Sequence, residues 1–138
     1  MNKQGKLIDG KVVGGIEWLK RVLPDGTERQ GFTWNVSRGC KHGCRWVMEN
    51  GDVAPCYAES VANGIASAAY PGGFENPSWH EEALEEPLRV QEPARIFLDS
   101  MSDLMGVWNT DKQVEQVIDV CRRAHWHEFL LLTKNAPR

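Results

Sequence analysis

The sequence predicts an α/β fold of parallel βα units, because three short apolar segments alternate with two helical patterns. The predicted strands cover residues 31–36, 95–99 and 128–132. One helix is expected to begin near Tyr57, and a second follows a capping-box pattern at Thr110 and Gln113. Short strands that are apolar on both faces are typical of a parallel sheet covered by helices.

A β-hairpin is expected over residues 11–34, and its second arm, which contains Phe32 and Trp34, is the first of these strands. Its turn would be Pro24-Asp25-Gly26-Thr27, which carries favourable turn residues, with apolar residues on both sides. Residues 1–10 are expected to be a flexible N-terminus, and residues 11–138 one domain containing a cysteine-rich loop at 37–56. No helix follows the third strand, which favours an N-terminal fragment truncated there, with a small complete three-strand domain as the alternative.

Composition limits the classes of function. The chain has 138 residues, 41% of them hydrophobic and 25% charged, with a net charge of −3, which is ordinary for a soluble globular domain. This charge does not indicate nucleic-acid binding, although that partner stays open. No membrane span or secretory signal is evident, so we expect a cytoplasmic protein, in which cysteines serve metal or redox chemistry before disulfides.

Three cysteines form the strongest functional pattern. Three residues separate Cys40 from Cys44, and eleven more precede Cys56. Three thiolates can hold a 4Fe–4S cluster and leave its fourth iron open for catalysis. Two alternatives remain: a structural zinc ion that adds His42 as a fourth ligand, and simple free thiols. Cys121 lies on the apolar face of the second helix and is interpreted as a core residue.

Several segments together resemble a known family. In order and spacing they are similar to a phage-associated three-cysteine family of unknown function, which is related to the radical S-adenosylmethionine enzymes. The matching segments run through nearly the whole chain from Gly15: Gly15-Ile16-Glu17-Trp18, Thr33-Trp34-Asn35-Val36, Gly39-Cys40, Gly43-Cys44, Cys56-Tyr57-Ala58-Glu59, Trp79-His80, Pro87-Leu88-Arg89, Ile96-Phe97-Leu98-Asp99-Ser100-Met101-Ser102-Asp103-Leu104 and Leu132-Thr133-Lys134.

The resemblance implies a fold and a chemistry. The fold would be a partial TIM-type (βα) barrel with the cluster loop after its first strand. S-adenosylmethionine would bind the open iron and be reduced to a 5′-deoxyadenosyl radical that abstracts hydrogen from an unknown substrate. One departure stands out: the family spacing leaves two residues before the third cysteine, whereas here Val47 to Pro55 is an inserted turn with Asn50-Gly51-Asp52 at its tip.

Further site residues are expected where the predicted strands end, since chemistry gathers at the carboxyl ends of barrel strands. We predict that six residues contact the cofactor or substrate, with no catalytic residue assigned: Asn35, Tyr57, Ser100, Ser102, Asp103 and Lys134. Turn capping is an equally good explanation for the two serines and Asp103. The predicted function is an iron–sulfur, S-adenosylmethionine-dependent radical enzyme of phage or mobile-element type. The alternative is a zinc-stabilised module that acts through a partner protein encoded nearby.

Overall fold

The computed structural model of the chain describes residues 1–136. Within that range the secondary structure consists of many short strands, two α-helices and four 3-10 turns. The strands are β1 (Asn2–Lys3), β2 (Lys6–Ile8), β3 (Lys11–Val13), β4 (Arg21–Val22), β5 (Glu28–Arg29), β6 (Phe32–Trp34), β7 (Ser37–Arg38), β8 (Arg45–Val47), β9 (Val53–Pro55), β10 (Ser78–Trp79), β11 (Arg95–Leu98) and β12 (Glu128–Leu131). The helices are α1 (Tyr57–Asn63) and α2 (Asp111–Arg123), and the 3-10 turns are Glu17–Leu19, Ser67–Ala69, Glu81–Ala83 and Glu86–Arg89.

The centre of the fold is a four-stranded mixed sheet in the order β1-β6-β11-β12. Strands β6, β11 and β12 are parallel neighbours, and Leu98 of β11 lies opposite Trp34 on one side and Leu131 on the other. The prediction of three adjacent parallel strands is therefore confirmed. Strand β1 adds to the outer edge of β6 in the antiparallel direction.

The predicted partial TIM-type barrel is wrong. In residues 1–136 the sheet is open, its first edge strand is antiparallel, and the remaining strands form two-stranded ribbons. A barrel needs its strands to continue the same parallel ladder until the sheet closes. Here β1 pairs with the outer edge of β6 in the antiparallel direction, so the parallel ladder ends there. Between β6 and β11, where a βα unit would have one helix that covers the sheet, the chain forms two-stranded ribbons and short helical segments.

The N-terminal ribbons differ in detail from the predicted hairpin. The turn at Pro24 to Gly26 does connect two strands, β4 and β5, and the Asp25 carboxylate accepts hydrogen bonds from the Thr27 amide and hydroxyl at 2.9 and 2.6 Å. The apolar segment at Lys11–Val13, expected in the first arm, does not pair with the second arm. It forms β3, which pairs antiparallel with β2. Phe32 and Trp34, expected in the second arm, belong to the central sheet.

Helix α2 covers the central sheet and builds the core. Thr110 begins the helix with the predicted capping box: its hydroxyl accepts from the Gln113 amide at 3.3 Å, and its own amide donates to the Gln113 side chain at 2.8 Å. The residues of the buried apolar cluster come from β6, β11, α2 and the segments that follow the strands. They are Trp34, Val36, Ile96, Leu98, Leu104, Val117 and Val120.

Two smaller helix predictions have mixed outcomes. Helix α1 begins at Tyr57 as expected but ends at Asn63, with a separate 3-10 turn at Ser67–Ala69. Ser78, followed by Glu81, matches a capping-box pattern that predicts the start of a short helix, but this prediction is wrong because Ser78 lies in β10, which pairs with β7. None of the helices in residues 1–136 has the length and apolar character that a membrane crossing requires.

Candidate functional site

The three cysteines of the predicted site line one cavity of about 320 Å³, which we call the cysteine cavity. It lies where the polypeptide leaves the parallel strands: Ser102 and Asp103 follow β11, and Thr133 and Lys134 follow β12. The carboxyl ends of parallel strands are where α/β sheets commonly bind ligands. The other lining residues include His42, Ala58 and Phe74.

The ribbon of β8 and β9 closes the long gap between the second and third cysteines. Its strands pair antiparallel, with Arg45 opposite Pro55, so Cys44 and Cys56 both stand at its base. The tip is the predicted turn, in which the Asn50–Asp52 segment closes on itself through side-chain hydrogen bonds. The inserted residues therefore project away, and the chain returns to the place where it departed.

Local backbone geometry positions the first cysteine. The Cys40 amide donates to the Phe74 carbonyl at 2.8 Å, and the Gly39 amide donates to the Met101 carbonyl at 2.9 Å. Gly39 has φ +89°, and a Cβ there would lie 2.7 Å from the Phe74 oxygen, so only glycine fits. Burial raises the pKa of the Cys40 thiol, and the negative charges of Cys44 and Asp103 act in the same direction.

The other two cysteines have polar partners at the cavity wall. Cys56 is the N-cap of α1, and its sulfur accepts a hydrogen bond from the Glu59 amide at 3.3 Å. Cys44 lies near the Lys134 side chain, and its interaction with the Lys134 ammonium raises the pKa of that group. The same ammonium lies 5.8 Å from the centre of the Trp46 ring. Lys134, predicted from sequence as a contact residue, thus lines the same cavity as the thiols.

Asp103 connects the cysteine loop to the segment that follows β12. One of its oxygens lies 3.0 Å from His42 Nε2, 2.9 Å from the Lys134 amide and 3.1 Å from Asn135 Nδ2. Its other oxygen accepts from the Met105 amide at 3.0 Å. Burial alone would raise the pKa of Asp103, but these hydrogen bonds outweigh it and lower the pKa. Asp103 therefore carries a stable negative charge that fixes the cysteine loop to the end of β12.

The remaining predicted residues fall into two groups. Ser102 lines the cysteine cavity, but its hydroxyl donates to the Gly39 carbonyl at 2.6 Å and lies 2.9 Å from the Ser37 hydroxyl, so it supports the loop. Asn35, Tyr57 and Ser100 line a second cavity of about 460 Å³. We call it the arginine cavity after Arg38, a lining residue that sequence reasoning missed because a single arginine carries no pattern.

Asp99 is a further residue whose role only the fold defines. It is 4% exposed, and one carboxylate oxygen accepts from the Val36 and Ser37 amides at 2.9 and 3.1 Å. Its φ of +49° is rare for a residue other than glycine. Burial raises its pKa to about 7, and its other oxygen has no hydrogen-bond partner within residues 1–136. Asp99 fixes the end of β11 to the segment that leads into the cysteine loop.

The donor set agrees in type and number with a three-thiolate cluster site. All four cysteines are free thiols, and the three in the cavity are half-buried. Within the described residues, no group of three or more His, Cys, Asp or Glu side chains is arranged to hold a single metal ion. His42, the fourth ligand of the zinc alternative, already directs Nε2 to Asp103. What the residues present is therefore a shared cavity with three thiols, not an assembled single-ion coordination sphere.

Comparison with known proteins places the chain in a family. The sequence pattern of a family described as protein of unknown function (DUF5131) matches residues 16–138, so the chain belongs to that family. No curated protein and no solved structure matches the chain. The family description names no activity, and the expected relation to phage proteins and radical S-adenosylmethionine enzymes stays a prediction.

Proposed function

We propose that this protein binds an iron–sulfur cluster through Cys40, Cys44 and Cys56 and uses it, with S-adenosylmethionine, as a radical enzyme. The observation that carries the proposal is the ribbon of β8 and β9, which returns Cys56 to the vicinity of Cys44 so that all three thiols line one cavity. A set of three thiolates suits a cluster that keeps one iron open.

The surroundings of the cysteines support this proposal. Lys134 places a positive charge beside Cys44, and a neighbouring cation favours the thiolate, the form that binds iron. The Asp103 hydrogen bonds hold the loop that carries Cys40 against the segment that carries Lys134. When bound, the cluster would supply an electron to S-adenosylmethionine; the protein would hold the thiolates, orient the loop and limit access by water. The four free thiols support a reducing compartment such as the cytoplasm.

The test is anaerobic reconstitution with iron and sulfide, using the fourth cysteine as a matched control. We expect about four irons per chain in the wild-type protein and in Cys121→Ser, because Cys121 packs beside the apolar cluster of α2, away from the cavity. We expect Cys40→Ser, Cys44→Ser and Cys56→Ser each to lose most of that iron. Circular dichroism in the far ultraviolet would check that the variants keep their fold.

A second measurement tests the reaction class. Addition of S-adenosylmethionine to the reduced protein should change its electron paramagnetic resonance spectrum, because the cofactor would bind the open iron. Iron that survives all three cavity substitutions would contradict the proposal, and so would stoichiometric zinc with no iron. The zinc outcome would instead support the zinc-stabilised module. If S-adenosylmethionine leaves the spectrum of the cluster unchanged, the iron–sulfur site would be supported and the radical chemistry would be contradicted.

A further inference from the structure

The arginine cavity lies beside the cysteine cavity. The two share walls: Tyr57 lines the arginine cavity, whereas Cys56 and Ala58, on either side of it in sequence, line the cysteine cavity. The turn after β11 divides in the same way, with Ser100 facing the arginine cavity and Ser102 facing the cysteine cavity. At about 460 Å³, the arginine cavity falls in the size range of small-molecule sites.

Arg38 gives this cavity a positive charge that is not held in a direct ion pair within residues 1–136. The side chain is half-buried, and within residues 1–136 it has no hydrogen-bond or ion-pair partner. Burial raises the pKa values of Tyr70 and Asp99, and the charge of Arg38 opposes that effect. A hydrogen bond from His80 lowers the pKa of Glu82, and Arg38 adds to it, so these three groups lie near Arg38. A guanidinium that is partly removed from water and has no direct ion-pair partner is well suited to bind a phosphate or carboxylate through paired hydrogen bonds.

Asn35 supplies a second donor to the same cavity. It is 9% exposed, and its carbonyl oxygen accepts from the Ser100 hydroxyl at 3.1 Å and the Met101 amide at 3.0 Å. The bonds orient the side chain, and its amide nitrogen, which has no partner among the described residues, is left for the cavity. This nitrogen is accessible from the cavity, where a ligand or a water molecule can accept its hydrogen bonds.

The one carboxylate that lines the arginine cavity is already neutralised. Glu86 contacts the N-terminal ammonium of Met1, so this pair adds no net charge. Two aromatic rings, Tyr57 and Tyr70, complete the wall, and aromatic side chains commonly stack on planar bases. The lining therefore combines anion donors with rings suited to a flat heterocycle.

We propose that the arginine cavity binds a phosphate-bearing nucleoside, with Arg38 and Asn35 donating to the phosphate and the tyrosine rings contacting the base. This inference goes beyond the proposed cluster function and does not depend on it, because neither donor belongs to the cysteine cavity. The position of Tyr57 next to Cys56 would put the bound nucleotide beside the thiols.

The test is calorimetric titration of the full chain with adenosine 5′-monophosphate, adenosine and inorganic phosphate. We expect Arg38→Met and Asn35→Asp to weaken binding of the monophosphate by roughly tenfold to a hundredfold, the usual effect of losing a hydrogen bond to a charged group. Asn35→Asp keeps an oxygen acceptor for Ser100 and Met101, and it replaces the amide donor with a carboxylate oxygen whose charge also repels the phosphate. The control Arg122→Met removes an exposed arginine of α2 that does not line the cavity and should bind as the wild type does.

Three results would overturn the inference. One is equal affinity for adenosine and its monophosphate, which would remove the phosphate contact. Another is unchanged monophosphate binding in both Arg38→Met and Asn35→Asp. The third is stoichiometric displacement of the monophosphate by S-adenosylmethionine, which would make the cavity the cofactor's own site. Cys44→Ser, which removes a proposed cluster ligand, should bind the monophosphate as the wild type does. Failure of the cluster proposal would therefore not contradict nucleotide binding in the arginine cavity.

Discussion

Asp99→Asn should remove a large pH dependence from the stability of this protein. The Asp99 side chain is 4% exposed, and burial raises its pKa from the ordinary 3.8 to about 7. Hydrogen bonds from Ser37 and Val36 and the charge of Arg38 oppose that effect, whereas the charge of Asp103 adds to it. The folded protein therefore favours the neutral carboxyl group over a pH range in which the unfolded chain is ionised.

The sign and size of the effect follow from this difference in pKa. Between about pH 4 and pH 7 the folded state binds more protons than the unfolded state, so the free energy of unfolding falls as pH rises. The stabilisation is complete below the pKa of the unfolded chain and is lost as pH passes through about 7. At 1.36 kcal/mol per pKa unit, the loss is up to about 4 kcal/mol.

Asparagine is a close mimic of the neutral carboxyl group. It retains the oxygen that accepts from Val36 and Ser37, and it tolerates the positive φ of this position better than most residues. We expect Asp99→Asn to match the wild type near pH 4 and to exceed its stability by up to about 4 kcal/mol at pH 7. Asp119→Asn, at an exposed site on α2, should change stability by less than about 1 kcal/mol at either pH.

Urea denaturation followed by tryptophan fluorescence, repeated at intervals between pH 4 and pH 7.5, would measure this difference. The comparison between wild type and variant at each pH cancels the titration of other groups. A constant difference between the two proteins across this range would refute the reasoning. It would mean that the Asp99 carboxylate is equally ionised in the folded and unfolded states.

A substitution and a deletion test the geometry of the cysteine loop. Gly39→Ala should cost about 2–3 kcal/mol in the free energy of unfolding, since the new Cβ meets the Phe74 oxygen at a positive φ. Gly26→Ala, with positive φ but open space around it, should cost about 1 kcal/mol, and equal losses in urea denaturation would contradict the clash. Deleting Trp46–Ala54 leaves only Arg45 and Pro55 before Cys56, and because those two residues already pair, iron loading should equal that of the full chain. Loss of iron on deletion would contradict the view that the ribbon merely loops out.

The cysteine site was partly predictable from sequence because its elements are local. The turn at Asn50–Asp52 carries its own hydrogen bonds, so the sequence indicated that the insertion before Cys56 projects away. Polar residues after apolar strands likewise predicted that Asp103 and Lys134 would lie near Cys40. The chemical role of the site stays a prediction, because a thiol cavity defines a donor set and not the group that it binds.

The sequence by itself determined the three parallel strands, the capping box that begins α2 and the clustering of three thiols, since each depends on local spacing and apolar pattern. Only the tertiary structure decided that the sheet stays open, because the antiparallel pairing of β1 with β6 joins segments about 30 residues apart without a sequence signal. The same holds for Arg38 and Asp99. Arg38 acquires meaning from the cavity around it, and the raised pKa of Asp99 comes from burial by segments that are distant in the chain.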